Sequence, residues 1–68
     1  MNINNLKQGE WGRVVDCPDS RLLEHGCTPG TEILLYNSNS HIICISFRGV
    51  ILACRRAYLS KLEVEKLV

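Results

Sequence analysis

The sequence is poor in net charge, in long apolar runs and in aromatic residues, and the first two shortages each exclude a class of protein. A membrane-spanning helix needs about 18 uninterrupted apolar residues, and no such run occurs, so direct membrane insertion is not expected. Eight Lys and Arg against seven Asp and Glu leave a formal charge of +1, too little to attract nucleic acid at long range. The segment Met1 to Asn5 has neither the basic region nor the apolar run of a signal peptide, so we expect a cytoplasmic protein.

The chain has 68 residues, and a second core would leave each half with too little apolar surface to offset the entropy of ordering its backbone. We therefore treat residues 1–68 as a single domain. Its composition, 46% hydrophobic and 22% charged, is ordinary for a protein that folds. A core this small leaves little room for an enclosed cavity, and the sequence has no glycine-rich phosphate loop. We predict no catalytic residues and no enzyme activity.

The hydrophobic pattern predicts about five short strands. Alternation of apolar and polar residues and the positions of Gly and Pro define each run. The run at 41–47 is apolar on both faces, so we expect it to be covered on both sides. In the first run, Val14 occupies one face, and Arg13, Val15 and Cys17 occupy the other. The predicted strands are 11–17, 33–36, 41–47, 50–54 and 62–66.

Between the first two strands the sequence predicts one short helix at 21–25, with Asp19 or Ser20 as N-cap and Leu22 and Leu23 as its apolar stripe. Gly26 ends this helix. The segment 28–31, Thr-Pro-Gly-Thr, predicts a type II turn, and 55–60 predicts a single helical turn. A meander this short must curl to bury its apolar residues, so we predict a mainly β fold, a small SH3-like β-barrel.

Cysteine and histidine are the candidate metal ligands. Two disulfides are conceivable, but without an export signal we expect free thiols. Close pairs such as C-x-x-C, typical of structural zinc sites, are absent. Only Glu24-His25-Gly26-Cys27 clusters donor atoms, so His25 and Cys27, with Cys17 as a further ligand, are the candidates for binding ferrous iron or zinc. No other cofactor is predicted. The favoured alternative makes Cys44 and Cys54 small buried hydrophobic residues on strands and His25 a solvated helix-end residue.

A second set of candidates suits a protein interface, because tyrosine and arginine are the residues that interfaces favour as anchors. The alternative interpretation of the arginines is an ordinary solvated face. The predicted partner-binding residues are Tyr36, Arg55, Arg56 and Tyr58.

The aromatic residues also permit a third interpretation, a stacking platform for single-stranded nucleic acid. In so small a domain aromatic side chains more often pack in the core or at its rim, so nucleic acid is not a predicted partner. The residues concerned are Trp11, Tyr36, Phe47 and Tyr58.

The segment Leu22 to Ile33, LLEHGCTPGTEI, resembles the FeoA family, whose members carry a leucine, a glycine two or three residues on, and a Pro-Gly-Thr turn into a strand. Upstream, Leu6 to Val15 resembles the family's opening, with one glycine before the first strand and another at its start. Downstream, the segment Phe47 to Ala57 is similar to the family's glycine hairpin, apolar strand and basic pair. The segment Leu62 to Val64 is similar to the family's closing strand. This chain departs from the family in a short segment before Leu22 and in having cysteine at position 27, where an aliphatic residue is common.

This resemblance implies an SH3-like cytoplasmic domain that assists the membrane ferrous-iron transporter FeoB, through the GTPase-bearing cytosolic part of that transporter. The same domain type also occurs at the C-terminus of metal-dependent repressors. A domain that binds or senses a transition metal through Cys and His ligands is the alternative. The resemblance implies no catalytic residues, and the oligomeric state is left open.

Overall fold

Five antiparallel strands form one sheet in the order β4-β3-β2-β1-β5. The computed structural model describes residues 1–67. One short α-helix and two 3-10 helices lie outside the sheet. In chain order the elements are η1 (Ile3–Asn5), β1 (Trp11–Asp16), α1 (Ser20–Glu24), β2 (Glu32–Ser38), β3 (Ile42–Phe47), β4 (Val50–Arg55), η2 (Arg56–Leu59) and β5 (Glu63–Leu67).

This architecture confirms the predicted mainly β fold, but the barrel is open. β4 and β5 are the two ends of the strand order, and no ladder joins them within residues 1–67. One apolar cluster nevertheless draws buried side chains from four of the strands and all three helices, because a curled sheet encloses what a flat one would expose. The open side lies where β4 faces α1 and η2.

The alternation in β3 produces the predicted burial on one face only. Ile43, Ile45 and Phe47 are at most 2% exposed. Ile42 and Cys44, on the opposite face, are half-buried. The expectation that this strand is covered on both sides is therefore only partly correct, because a single sheet has no second layer to pack on its outer face.

Cys17, which directly follows β1, points toward the core, contrary to the alternation predicted from sequence. The β1–β5 register shifts between Val14 and Asp16, where Val14 pairs with Val64 and Asp16 with Glu63. A bulge of this kind reverses the side to which the following residues point. Cys17 consequently turns inward and is only 5% exposed.

The short helix α1 is defined at both ends by hydrogen bonds. At its start, Asp19 Oδ1 accepts bonds from the backbone N–H groups of Arg21 (2.8 Å) and Leu22 (3.4 Å). At its end, Gly26 has φ +96°, and the N–H groups of Gly26 and Cys27 donate to the carbonyls of Leu23 and Leu22. This is the Schellman pattern, in which a left-handed residue closes the last turn. Of the predicted apolar stripe, Leu22 is buried and Leu23 is 38% exposed.

Two predicted turns also form. The N–H of Thr31 donates to the carbonyl of Thr28 at 3.0 Å, and Gly30 has φ +93°, as a type II turn requires. Asn39 stabilises the turn of the β2–β3 hairpin. Its side-chain oxygen accepts hydrogen bonds from the N–H groups of His41 and Ile42, both at 2.8 Å. β2 continues two residues beyond its predicted end at Tyr36 before this turn begins.

Candidate partner-binding groove

A groove of about 320 Å³ runs along the open side of the barrel, and we call it the β4 groove. One wall is β4. The other is made by α1 and η2, which the α1 caps and the turn at Arg55 hold in place. The lining residues are Asp19, Arg21, Leu22, His25, Leu52, Ala53, Cys54, Arg55, Tyr58 and Leu59.

The floor of the β4 groove is apolar. Leu22 and Leu59 belong to the core, with exposures of 5% and 1%, while Leu52 and Cys54 are partly buried against it. Burial also raises the pKa of the Cys54 thiol, so this side chain keeps its proton at neutral pH and contributes as an apolar group. The floor therefore offers hydrophobic contact to a side chain that enters from outside.

Tyr58 stands on the helix wall of the groove and is 51% exposed. The guanidinium of Arg21 lies 4.0 Å from the centre of its ring, a cation–π contact that restricts both side chains. Arg21 also lies 3.7 Å from the carboxylate of Asp19. A half-exposed aromatic ring that is already ordered loses little entropy when a partner packs on it, as interface anchors do.

Arg55 and Arg56 are adjacent in sequence but have different environments. Arg56 is half-buried, and its guanidinium donates to the carbonyl of Asn39 at 2.7 Å and to Asn4 Oδ1 at 3.4 Å. Arg55 is exposed, and its side chain has no hydrogen bond or ion pair to any of residues 1–67. Of the two, only Arg55 lines the β4 groove, while Arg56 joins η2 to the loops beside it.

The fourth predicted partner-binding residue, Tyr36, lies elsewhere. It occupies a bulge in β2, between the pairs Leu35–Ile45 and Asn37–Cys44, and is 56% exposed. It does not line the β4 groove. The structure thus brings Arg55 and Tyr58 together and separates both from Tyr36.

The four aromatic side chains differ in exposure. Phe47 is in the core with 2% exposure, Trp11 is 46% exposed on β1, and Tyr58 is in the groove. Trp11 pairs with Leu34 and Leu67 of the neighbouring strands. Because Phe47 is buried, the four aromatic residues of the nucleic-acid interpretation do not share one exposed surface.

Positive charge gathers around η2, although the whole chain is nearly neutral. Two further depressions adjoin the β4 groove, one beside Tyr58 and one beside Arg55. Among the described residues that line the three hollows, Asp19 is the single acidic one, and it is occupied by the α1 cap and Arg21. The cationic lining residues are Arg21, Arg55, Arg56 and Lys61.

The candidate metal ligands have unlike surroundings. His25 is exposed at the end of α1, whereas Cys27 is completely buried. Burial, with the neighbouring Cys17 thiol as a second cause, raises the pKa of Cys27 to about 12. No cluster of three or more His, Cys, Asp or Glu suited to a metal ion occurs within residues 1–67. All four cysteines are free thiols in the structure.

Sequence reasoning missed most of the groove lining. Arg21, Leu52 and Cys54 carry no local signal for a binding site, because each looks like an ordinary helix or strand residue. Only the pairing of strands and the placement of α1 bring them together. Arg55 and Tyr58 were found because their residue types are those that interfaces favour.

Comparison with known proteins decides the family. The sequence matches the FeoA domain over residues 1–66. The chain belongs to the FeoA domain family. Membership of this family implies a role in ferrous iron transport, and the FeoA domain is a small accessory domain rather than an enzyme family.

A solved structure resembles this FeoA domain over nearly its whole length. It is the crystal structure of an iron uptake regulatory protein, FeoA, with a TM-score of 0.86 and 30% sequence identity. The alignment covers 98% of this chain and 96% of that one. The search of curated proteins gave no match. None of the helices within residues 1–67 has the length and apolar character needed to cross a membrane.

Proposed function

We propose that this FeoA domain is a cytoplasmic protein-binding module of ferrous iron transport, which docks through the β4 groove on the cytosolic GTPase part of a FeoB-like membrane transporter. The observation that carries the proposal is the groove itself. Its floor is apolar, and one wall carries Tyr58, which is ordered and half-exposed. The other wall carries Arg55, whose side chain makes no bond to any of residues 1–67. Family membership supplies the transport context.

This arrangement suits binding better than catalysis. The thiol in the groove, Cys54, has a raised pKa, which lowers the fraction of the reactive thiolate. The side chains that are exposed there, Arg55 and Tyr58, are instead those that anchor interfaces by packing and by charge. A partner with an acidic, apolar surface segment would match both the charge and the floor of the groove.

The substitution Arg55→Glu tests the proposal. It reverses the charge at the groove, so the affinity for the purified cytosolic part of the transporter from the same organism should fall by about tenfold or more. Calorimetric titration at fixed ionic strength gives the two dissociation constants. Arg55 has no structural bond within residues 1–67, so the variant should fold normally.

The matched control is Lys7→Glu, which makes the same change of charge at an exposed residue outside the groove. Its affinity should stay within about twofold of the wild type, because Lys7 does not line the groove and salt screens exposed charges that are not in contact. Equal losses in both variants would mean that net charge rather than the groove governs binding. Unchanged affinity in a folded Arg55→Glu variant would remove the groove from the interface.

A metal-binding or metal-sensing function remains the alternative. Among the described residues, Cys17 and Cys27 are the only two candidate ligands that lie side by side, and burial holds the proton on Cys27. Metal binding must displace that proton, so affinity for ferrous iron or zinc should fall as pH decreases. No observation favours this function over partner binding.

A further inference from the structure

The free edge of β4 is formed by backbone groups that the sheet leaves without partners. The β3–β4 hairpin closes with the pair Phe47–Val50, and Ile45–Leu52 and Ile43–Cys54 follow. In a two-residue hairpin the closing pair is hydrogen-bonded, and such pairs alternate along the ladder. The N–H and C=O groups of Ile51 and Ala53 therefore point away from β3, along the free edge.

The two edge strands of the sheet, β4 and β5, differ in how their backbone groups are covered. At the far end, the first residues cover β5: the N–H of Val64 donates to the carbonyl of Met1 at 2.7 Å, and the N–H of Ile3 donates to Leu62 at 3.0 Å. Asn2 forms a bridge with Glu63. Within residues 1–67, no backbone hydrogen bond outside the β3–β4 ladder involves Ile51 or Ala53. The start of the β5 edge is therefore covered, whereas the edge groups of Ile51 and Ala53 are available to a partner.

Before Arg55, the residues of β4 lack the usual protection of an edge strand. Proteins discourage pairing at exposed edges with charged residues, proline or bulges. From Val50 to Cys54 the strand has none of these: its residues are all apolar, and its register with β3 is continuous. The exposed Ile51, at 60%, adds an apolar side chain on the outer face.

A groove of about 320 Å³ lies beside this edge. Adjacent strands lie about 4.8 Å apart, with alternate side chains on opposite faces. A strand added to β4 would lie between β4 and the wall formed by α1 and η2. Its inward side chains would reach the floor at Leu22, Leu52 and Leu59.

We propose that an extended peptide segment of the partner, apolar at alternate positions and acidic near Arg55, adds to β4 as a sixth strand. The inference rests on the proposed function and specifies its partner chemistry. Main-chain bonds to Ile51 and Ala53 supply affinity, and the apolar floor selects alternate side chains. The excess of cationic over acidic lining residues favours an acidic segment.

The substitution Ala53→Pro tests this strand addition. It removes one edge N–H and places a ring on the free edge, yet the β3–β4 ladder does not use that N–H, so the fold tolerates proline there. Ala53→Val is the matched control, since it enlarges the side chain but keeps the N–H. The probes are the purified cytosolic part of the transporter and overlapping twelve-residue peptides that cover its sequence.

Amide exchange measured by NMR supplies the second readout. When a probe that binds is present, hydrogen exchange of the Ile51 and Ala53 amides should be at least about tenfold slower than in the free protein. Ala53→Pro should lose at least about tenfold in affinity, while Ala53→Val stays within about threefold. Thermal unfolding shows whether each variant is folded.

The outcomes separate this inference from the proposed function. If the transporter part binds but leaves exchange at Ile51 and Ala53 unchanged, and Ala53→Pro binds as well as Ala53→Val, strand addition is wrong and docking stands. If neither the transporter part nor any peptide binds, both proposals fail. If amide exchange at Ile51 and Ala53 slows as the protein concentration rises in the absence of any probe, a second copy of the chain occupies the β4 edge. In that case a partner peptide is not the ligand of this edge.

Discussion

Cys27 is the residue whose chemistry is most altered by folding. It lies in the core with no exposed surface, next to Cys17. At this position the FeoA resemblance leads one to expect an aliphatic side chain, and a protonated thiol in an apolar site behaves as a small hydrophobic group. The raised pKa opposes metal binding by this residue, because the thiolate rather than the thiol is the ligand.

Because folding raises the pKa of Cys27, the free energy of unfolding of the domain depends on pH in the alkaline range. The folded-state pKa of Cys27 is about 12, above its usual value of 9.0, so above that usual value the unfolded chain loses this proton first. The stabilisation is fully present below the unfolded-state pKa and is lost as pH rises through the folded-state pKa. We expect the free energy of unfolding to fall between about pH 9 and pH 12, and the fall to be smaller in Cys27→Ala.

Urea denaturation across that pH range checks this. Cys27→Ala also loses core packing at every pH, so the diagnostic quantity is the difference between the two slopes, which removes titrations common to both proteins. Identical pH slopes would show that Cys27 titrates alike in the folded and unfolded chains.

Among the elements, the β3–β4 hairpin is tied to the loop after α1 by one side chain. Arg48 has φ +49°, an uncommon conformation for a residue with a Cβ. Its guanidinium donates to the carbonyl of Gly26 at 3.0 Å and to Thr31 Oγ1 at 3.2 Å. Thr31, which is buried, donates to the same Gly26 carbonyl at 3.2 Å. The hairpin carrying β4 is thereby held against α1, the opposite wall of the groove.

Arg48→Ala should destabilise the domain by about 1 kcal/mol, because it removes two hydrogen bonds and retains the unfavourable backbone conformation. Arg55→Ala is the matched control, since that arginine makes no such bonds within residues 1–67, and its change should stay within about 0.5 kcal/mol. Chemical denaturation gives both values. Equal stabilities of the two variants would mean that the Arg48 bonds contribute nothing.

Most elements were predictable because their signals are local. The N-cap at Asp19, the left-handed glycine at position 26 and the turn ending at Thr31 depend on a few adjacent residues, and all three form. The short helix η1 was not predicted. Its position depends on bonds to a segment distant in sequence, such as that from Ile3 to Leu62, which the polar segment at 1–5 does not signal.

At the scale of the whole molecule, the open barrel creates the candidate site. Whether β4 and β5 pair cannot be deduced from hydrophobic alternation, which is the same in an open and a closed sheet. Because the strands do not pair, α1 and η2 face β4 across a groove. Sequence reasoning found Arg55 and Tyr58 from residue type alone, but residue type could not separate Tyr58 from Tyr36, because both are tyrosines.

The two tyrosines therefore allow the most direct test of the central claim, docking through the β4 groove. They are similarly exposed, 51% for Tyr58 and 56% for Tyr36, but only Tyr58 lines the groove. The measurement is the affinity of Tyr58→Ala and Tyr36→Ala for the cytosolic part of the transporter, in variants shown to be folded. The account predicts a loss of at least about tenfold for Tyr58→Ala and a change within about twofold for Tyr36→Ala. The reverse order, or no loss in either variant, would contradict it.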